Sequence, residues 1–272
     1  MQLLHGAAAL LAFSGMADSG LEHTRAHYRN PAMGVAPSLG ALGLVTALRG
    51  LLSRRRTGRG AEAIYGALAA TGAGGLGFHA YNILKRPGGL GWMNLFYGAP
   101  LGAPGTMLLA GLFGLAAKRL EEPGAEHGPR TLIGGGRRTR RSAAQRLGLA
   151  ASVGLVGTVA EVALLHFRGA WQNPYMVLPV TVPPAAAVAL AAAAVQPGPA
   201  VIAAARSLSG ATALLGLAGV AFHAYGIHRN MGGWKTWSQM ILQGPPLPAP
   251  PGFTGVALAG LAALLLLEDE EP

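Results

Sequence analysis

Apolar residues in this chain run in eight stretches, at roughly 2–22, 34–53, 61–84, 100–118, 146–167, 175–196, 201–227 and 251–267. A bilayer core needs about 20 apolar residues per helix. Unbroken apolar runs of that length, with no period of two, read as helices and not as strands. Short polar segments rich in Gly and Pro separate them, and one longer basic segment runs from Lys118 to Arg146. The pattern predicts an all-α integral membrane protein of about eight transmembrane helices.

The chain also repeats itself. His23-Thr24-Arg25 and Asn30-Pro31-Ala32-Met33 return as His166-Phe167-Arg168 and Asn173-Pro174-Tyr175-Met176, at a constant offset of 143 residues. Phe78-His79-Ala80-Tyr81, followed by Lys85 and Gly88-Gly89, returns as Phe222-His223-Ala224-Tyr225, followed by Arg229 and Gly232-Gly233, at an offset of 144. Gly98 to Pro104 matches Gly244 to Pro250 after a further slip of two residues. Each half holds an even number of stretches, so both halves start on the same side of the membrane. The expectation is two tandem parallel four-helix repeats, related by an axis along the membrane normal. The first covers 1–120, a basic flexible cytoplasmic linker covers 121–145, and the second covers 146–272.

Composition agrees with the membrane reading. The chain is 51% hydrophobic and only 12% charged, about half the charged share of soluble domains. Its 42 Gly lie inside apolar runs, where small residues let membrane helices approach closely. The absence of Cys excludes disulfides, iron–sulfur ligation and thiol catalysis. A net charge of +10 would point to nucleic acid in a soluble protein, but here the basic residues cluster in loops. Arg49, Arg54, Arg55, Arg56 and Arg59 fill one loop, and Arg130, Arg137, Arg138, Arg140 and Arg141 lie in the central linker. The positive-inside rule puts both loops, and hence both termini, in the cytoplasm of a multi-pass inner (plasma) membrane protein. The repeated motifs then lie at the outer, periplasmic face. The first stretch is short enough for a signal peptide, but no Lys or Arg precedes it and its end recurs in mid-chain, so it reads as a retained helix.

Four histidines, His23, His79, His166 and His223, close the outer ends of the odd-numbered stretches. One such residue reads as a helix-end hydrogen-bond donor. Four at repeated positions read as a site, because polar groups at membrane depth are costly and usually functional. As metal ligands they suit haem b, whose iron takes neutral imidazole. Arg25, Arg168, Lys85 and Arg229 would neutralise its propionates, and Tyr81 and Tyr225 lie beside the second histidine of each half. A quinone fits equally, since its reduction needs hydrogen-bonding groups and protons at the membrane surface. Asp18 and Glu161 stand at equivalent positions, each five residues before a histidine, and are the candidate catalytic acids that relay protons. Five residues on a helix turn through about 140° net, so each acid needs a partner on another helix.

Asn30-Pro31 and Asn173-Pro174 read as helix-start caps, and Met33 and Met176 as packing residues. The Gly-Gly turns and the proline-rich segments after them read as extended, rigid outer loops of about 20 residues, long enough to carry function. Trp92, Trp171, Trp234 and Trp237 read as interfacial aromatics. No nucleotide-binding, zinc-protease or nucleophile-elbow motif appears.

In plan the chain resembles the integral membrane subunits of respiratory oxidoreductases. The expected function is electron exchange with quinone, or haem b carriage, at the outer face for a separate peripheral redox subunit. The rival expectations are a parallel-repeat transporter of small molecules or ions and a non-catalytic membrane scaffold. Nucleic acid is not an expected partner; the lipid bilayer is.

Overall fold

Each apolar stretch forms a helix in the computed structural model, which describes residues 1–53, 58, 60–121 and 140–268. The helices are α1 Gln2–Arg25, α2 Val35–Leu52, α3 Gly60–Leu84, α4 Trp92–Phe96, α5 Gly102–Leu120, α6 Arg140–Arg168, α7 Val182–Val195, α8 Pro199–Asn230, α9 Trp237–Gln243 and α10 Pro251–Glu268. Two 3-10 turns, Pro31–Gly34 and Pro174–Val180, precede α2 and α7, and no strand occurs among the described residues. Most of the expected linker, with Arg130, Arg137 and Arg138, lies outside the described residues, as do Arg54 to Arg56, Arg59 and the acidic tail from Asp269.

Three local differences from the sequence reading have identifiable causes. The sixth stretch begins as a 3-10 turn because Pro179 lies inside it, and the α-helix takes over only at Val182, with prolines in its first turn. The helix α6 begins at Arg140, ahead of its apolar run. The loops after the Gly-Gly turns are not extended throughout, since they contain the short helices α4 and α9. The turns themselves need glycine: Gly88, Gly89, Gly232 and Gly233 all have φ between 55° and 90°. After the first, the Asn94 side-chain amide donates to Pro87 O at 3.0 Å and Gly89 O at 2.8 Å, folding the loop back on itself.

Five segments are long and apolar enough to cross a membrane: Pro31–Leu52, Arg141–Arg168, Pro174–Val195, Pro199–Asn230 and Pro251–Glu268. The chain is a multi-pass membrane protein on that evidence. Its surface agrees, because large apolar side chains face outward along the long helices, Val153, Val188 and Leu214 each at about 70% exposure. Helices α1, α3 and α5 are of similar length but are diluted by glycine and polar residues.

Packing pairs recur along the chain. Helices α1–α2, α1–α5, α2–α3 and α3–α5 are in contact, and so are α6–α7, α6–α10, α7–α8 and α8–α10. The first set joins elements before residue 122, the second elements after residue 139. Helix α1 packs on α10, and α5 on α6, to close the seam between the two sets. The core at this seam is built from Leu4, Leu11, Met107, Phe113, Leu155 and Val256 with many alanines. Lipid tails are as apolar as leucine, so close backbone approach, not burial from water, holds such helices together. A methyl group on Gly72 would stand 2.7 Å from Pro104 O, and one on Gly216 would stand 2.8 Å from Pro250 O. Both glycines therefore let one helix backbone rest on the next at equivalent places. Side-chain hydroxyls add interhelical bonds: Ser152 Oγ donates to Ala187 O and Thr254 Oγ1 to Ala213 O, each at 2.8 Å.

These contacts predict that Gly72→Ala and Gly216→Ala each destabilise the detergent-solubilised protein by about 1–3 kcal/mol, the usual effect of overpacking. Gly74→Ala is the control, because a methyl group there meets nothing within 4 Å. It should stay within about 1 kcal/mol of the parent protein. Thermal unfolding of the three variants side by side checks this.

Candidate functional site

The ends of α1 and α6 have the same local construction. Tyr28 N donates to His23 O at 2.9 Å and His27 N to Thr24 O at 2.9 Å. Trp171 N donates to His166 O at 3.1 Å and Ala170 N to Phe167 O at 2.9 Å. This is the paired hydrogen-bond pattern of a Schellman cap. Its left-handed position normally takes glycine, yet here His27 and Ala170 occupy it at φ 57° and 56°. Tyr28 and Trp171 follow at φ 45° and 50°. Non-glycine residues in this region are strained and persist only where the surroundings hold them. The gain here is ring contact: His23 meets Tyr28 edge to face at 6.0 Å, and His166 meets Trp171 at 5.7 Å.

The imidazoles are then fixed by backbone carbonyls. His23 Nδ1 lies 2.6 Å from Met33 O, and His166 Nδ1 lies 2.8 Å from Met176 O. At the end of α3, His79 Nδ1 lies 2.5 Å from Pro100 O, and at the end of α8, His223 Nδ1 lies 2.8 Å from Pro246 O. A carbonyl only accepts, so in all four rings Nδ1 carries the proton and donates. The neutral ring then presents a bare lone pair at Nε2. None of the four Nε2 atoms has a hydrogen-bond partner among the described residues. A carbonyl bonded to one nitrogen is how proteins orient imidazole for ligation or proton acceptance at the other. The carbonyl of Met33 or Met176, not its sulfur, does this work. Asn30 and Asn173 shape the same turns, their side-chain oxygens accepting from Ala32 N and Tyr175 N.

The four rings do not converge on a single ion. No group of three or more His, Cys, Asp or Glu able to hold a metal occurs among the described residues. Two of them are neighbours: His166 lies within Coulombic range of His223. Tyr175 stacks on Phe222 between the two elements, with ring centroids 5.1 Å apart.

The basic residues cross the seam. Arg25, at the end of α1, donates through Nε to Leu242 O and through Nη2 to Gly244 O, and pairs with Glu22 through Nη1. Leu242 and Gly244 end α9, so the guanidinium caps the carbonyl end of a helix in the other half. Arg168, at the end of α6, sits over the Phe96 ring at 5.5 Å, at the end of α4. Phe167 joins it there, 5.7 Å from Trp92 and 5.9 Å from Phe96. Lys85 sits over the Tyr81 ring at 5.2 Å, while Arg229 Nε reaches Asn230 Oδ1 at 3.4 Å. Tyr81 and Tyr225 point outward at about 60% exposure, and neither bonds a histidine.

The acids meet at the same seam. Asp18 is within Coulombic range of Glu161, Glu22 and Arg25. Glu161 accepts from Leu101 N at 3.4 Å, at the start of α5. Neither acid hydrogen-bonds a histidine, as their angular spacing on the helix anticipates.

One cluster escapes the sequence reading. At the opposite end of α1, buried His5 bonds through Nε2 to Glu121 Oε1 at 2.8 Å, with Tyr65 OH 3.5 Å from Nδ1 and Lys118 Nζ 3.8 Å from Glu121 Oε2. The equivalent places in the second half hold Gly148, Ser209, Leu264 and Leu267. The duplication thus gives no signal here, and the pair joins residues 116 positions apart.

The tautomer is directly testable. Nitrogen NMR of histidine-labelled protein should show His23, His79, His166 and His223 in the neutral form protonated at Nδ1. Protonation at Nε2 in any of them would mean that its carbonyl contact is absent.

No protein-family model, no curated protein and no solved structure matches this chain, so the functional reading rests on the site itself.

Proposed function

We propose that the chain is an integral membrane subunit of an oxidoreductase, taking electrons from or passing them to a quinone or haem b at the histidine-bearing end. A separate peripheral subunit would perform the remaining redox step. The observation that carries this reading is the common posture of four imidazoles, each with Nδ1 committed to a carbonyl and Nε2 unpartnered. Each Nε2 reaches the surface at its helix end, where a ligand or a proton donor can meet it.

In this reading the eight long helices all span the membrane. They form two tandem parallel repeats, 1–120 and 146–272, joined by a cytoplasmic linker over 121–145. The recurring packing pairs and Schellman ends support that arrangement. Loop charge supports an inner (plasma) membrane orientation with both termini cytoplasmic and the histidines periplasmic.

The donor set fits both candidate groups. For haem b, a histidine from each of two elements would hold the iron through Nε2, Lys85 or Arg229 would neutralise the propionates, and the group would supply one-electron chemistry. For quinone chemistry, the tautomer has a sign. Neutral Nε2 accepts, so it receives a proton from a quinol hydroxyl and donates only once charged. Asp18 and Glu161 stand at the seam, where such a proton can be handed on.

A second reading has one specific observation behind it. Asp18 and Glu161 come from opposite halves and lie close enough across the seam for their charges to interact, and transporters place coupling-ion sites at the interface between repeats.

The test is the visible spectrum of protein purified in mild detergent from cells supplied with haem, oxidised and then dithionite-reduced, with quinone extracted from the same sample. A Soret band with sharp reduced α and β peaks, or co-purified quinone, is expected. His79→Ala and His223→Ala should each remove that signal while the protein still inserts. Colourless, quinone-free protein, or signal intact in both variants, would overturn the proposal and favour transport.

A further inference from the structure

Asp18 and Glu161 occupy equivalent positions, but their surroundings have diverged. Opposite Glu161, the first-half loop runs Pro100-Leu101-Gly102. Leu101 N donates to the Glu161 carboxylate at 3.4 Å, and a methyl group on Gly102 would stand 3.0 Å from Glu161 Cγ. The glycine leaves room for the acid, and the first amides of α5 face it. A carboxylate at a helix N-terminus, in contact with backbone N–H, is a stable cap. The matching loop of the second half runs Pro246-Leu247-Pro248. Leu247 keeps the N–H that Leu101 uses, but Pro248 has none to offer where Gly102 does.

Asp18, one methylene shorter, accepts no hydrogen bond and makes no ion pair within 4 Å among the described residues. The charged groups facing it are Glu22 and Arg25 on α1 and Glu161 across the seam. Arg25 is engaged by Glu22 and by the carbonyls of Leu242 and Gly244. Asp18 is therefore a half-buried carboxyl within an apolar helix with neither a donor nor a cation in contact, and an acid so placed is a functional candidate.

We propose that Asp18 alone of the pair is the exchangeable carboxyl of the site, the group that takes up and releases a proton, and that Glu161 has become a fixed cap for α5. This division of labour rests on no assignment of haem, quinone or transported solute. It separates two positions that the sequence presents as equals.

The test is dicyclohexylcarbodiimide labelling of the full chain, in native membranes and in detergent, followed by peptide mass spectrometry. The reagent reacts with a protonated carboxyl: the acid O–H adds across one N=C bond, and the adduct rearranges to a stable N-acylurea with nothing released. An oxygen occupied by an amide N–H is less free to take that proton. Asp18 should gain the mass of one carbodiimide about tenfold faster than Glu161 or Glu22. Asp18→Asn should abolish the fast labelling. Glu161→Gln, whose side-chain oxygen can still accept from Leu101 N, removes a like charge facing Asp18, so it should slow Asp18 labelling while leaving Asp18 the fastest-labelled carboxyl. Labelling of Glu161 at an equal or higher rate, or no labelling of Asp18 in the parent chain, would overturn the assignment. The parent peptide map decides the matter even if Asp18→Asn fails to insert.

Discussion

Helix α5 lies on α3, and α10 on α8, at the contact distance of two backbones. Gly72 and Gly75 make room for Pro104, and Gly216 and Gly219 for Pro250, with methyl groups at Gly75 and Gly219 standing 3.1 Å and 2.7 Å from the proline Cβ. In a bilayer this approach supplies the dispersion contacts that burial from water cannot. It also sets the position of the chain just upstream of each proline. Pro100 and Pro246, whose carbonyls hold His79 and His223, lie four residues earlier in those same segments. Remove the close approach and the loops move, and the imidazoles lose the contact that fixes their tautomer.

A second consequence follows from how the halves close over one another. Arg25 of α1 reaches α9, while Phe167 and Arg168 of α6 reach α4, and Glu161 of α6 reaches the start of α5. Each half thus ends its histidine helix against the loop of the other. A polar end built this way needs both halves, and neither half folded separately would present the same surroundings to its acid. The two clusters are related but not identical: one has an arginine on carbonyls, the other an arginine on an aromatic ring and an acid accepting from an amide. The two ends share a plan in the sequence and differ at Gly102 and Pro248.

Much of this was legible in the chain itself. The eight apolar stretches became long helices because apolar runs of that length have few other solutions in lipid. Asn30 and Asn173 cap as Asn before Pro should. The repeated histidines all lie in the C-terminal turns of their helices, α1, α3, α6 and α8. Other features were not legible. The 3-10 turn before α7 depends on Pro179 competing with an otherwise helical run, and the loop that carries α4 depends on folding back through Asn94. The Nδ1 contacts join His23 and His79 to carbonyls 10 and 21 residues away, which no side-chain motif announces. The His5–Glu121 pair is invisible for a further reason, since the second half has filled its counterpart with Gly148, Leu264 and Leu267.

The central claim is that the polar end is assembled across the seam, each half closing over the other. The chain has no cysteine, so a paired cross-link has no background. Trp92 and Phe167, whose rings are 5.7 Å apart, can be replaced together as Trp92→Cys and Phe167→Cys and treated in the membrane with a short thiol-to-thiol reagent. The account predicts rapid cross-linking within one chain, seen as peptides 92 and 167 joined while the protein still migrates as a monomer. Free thiols in a well-inserted double variant, or links formed only between separate chains, would contradict it.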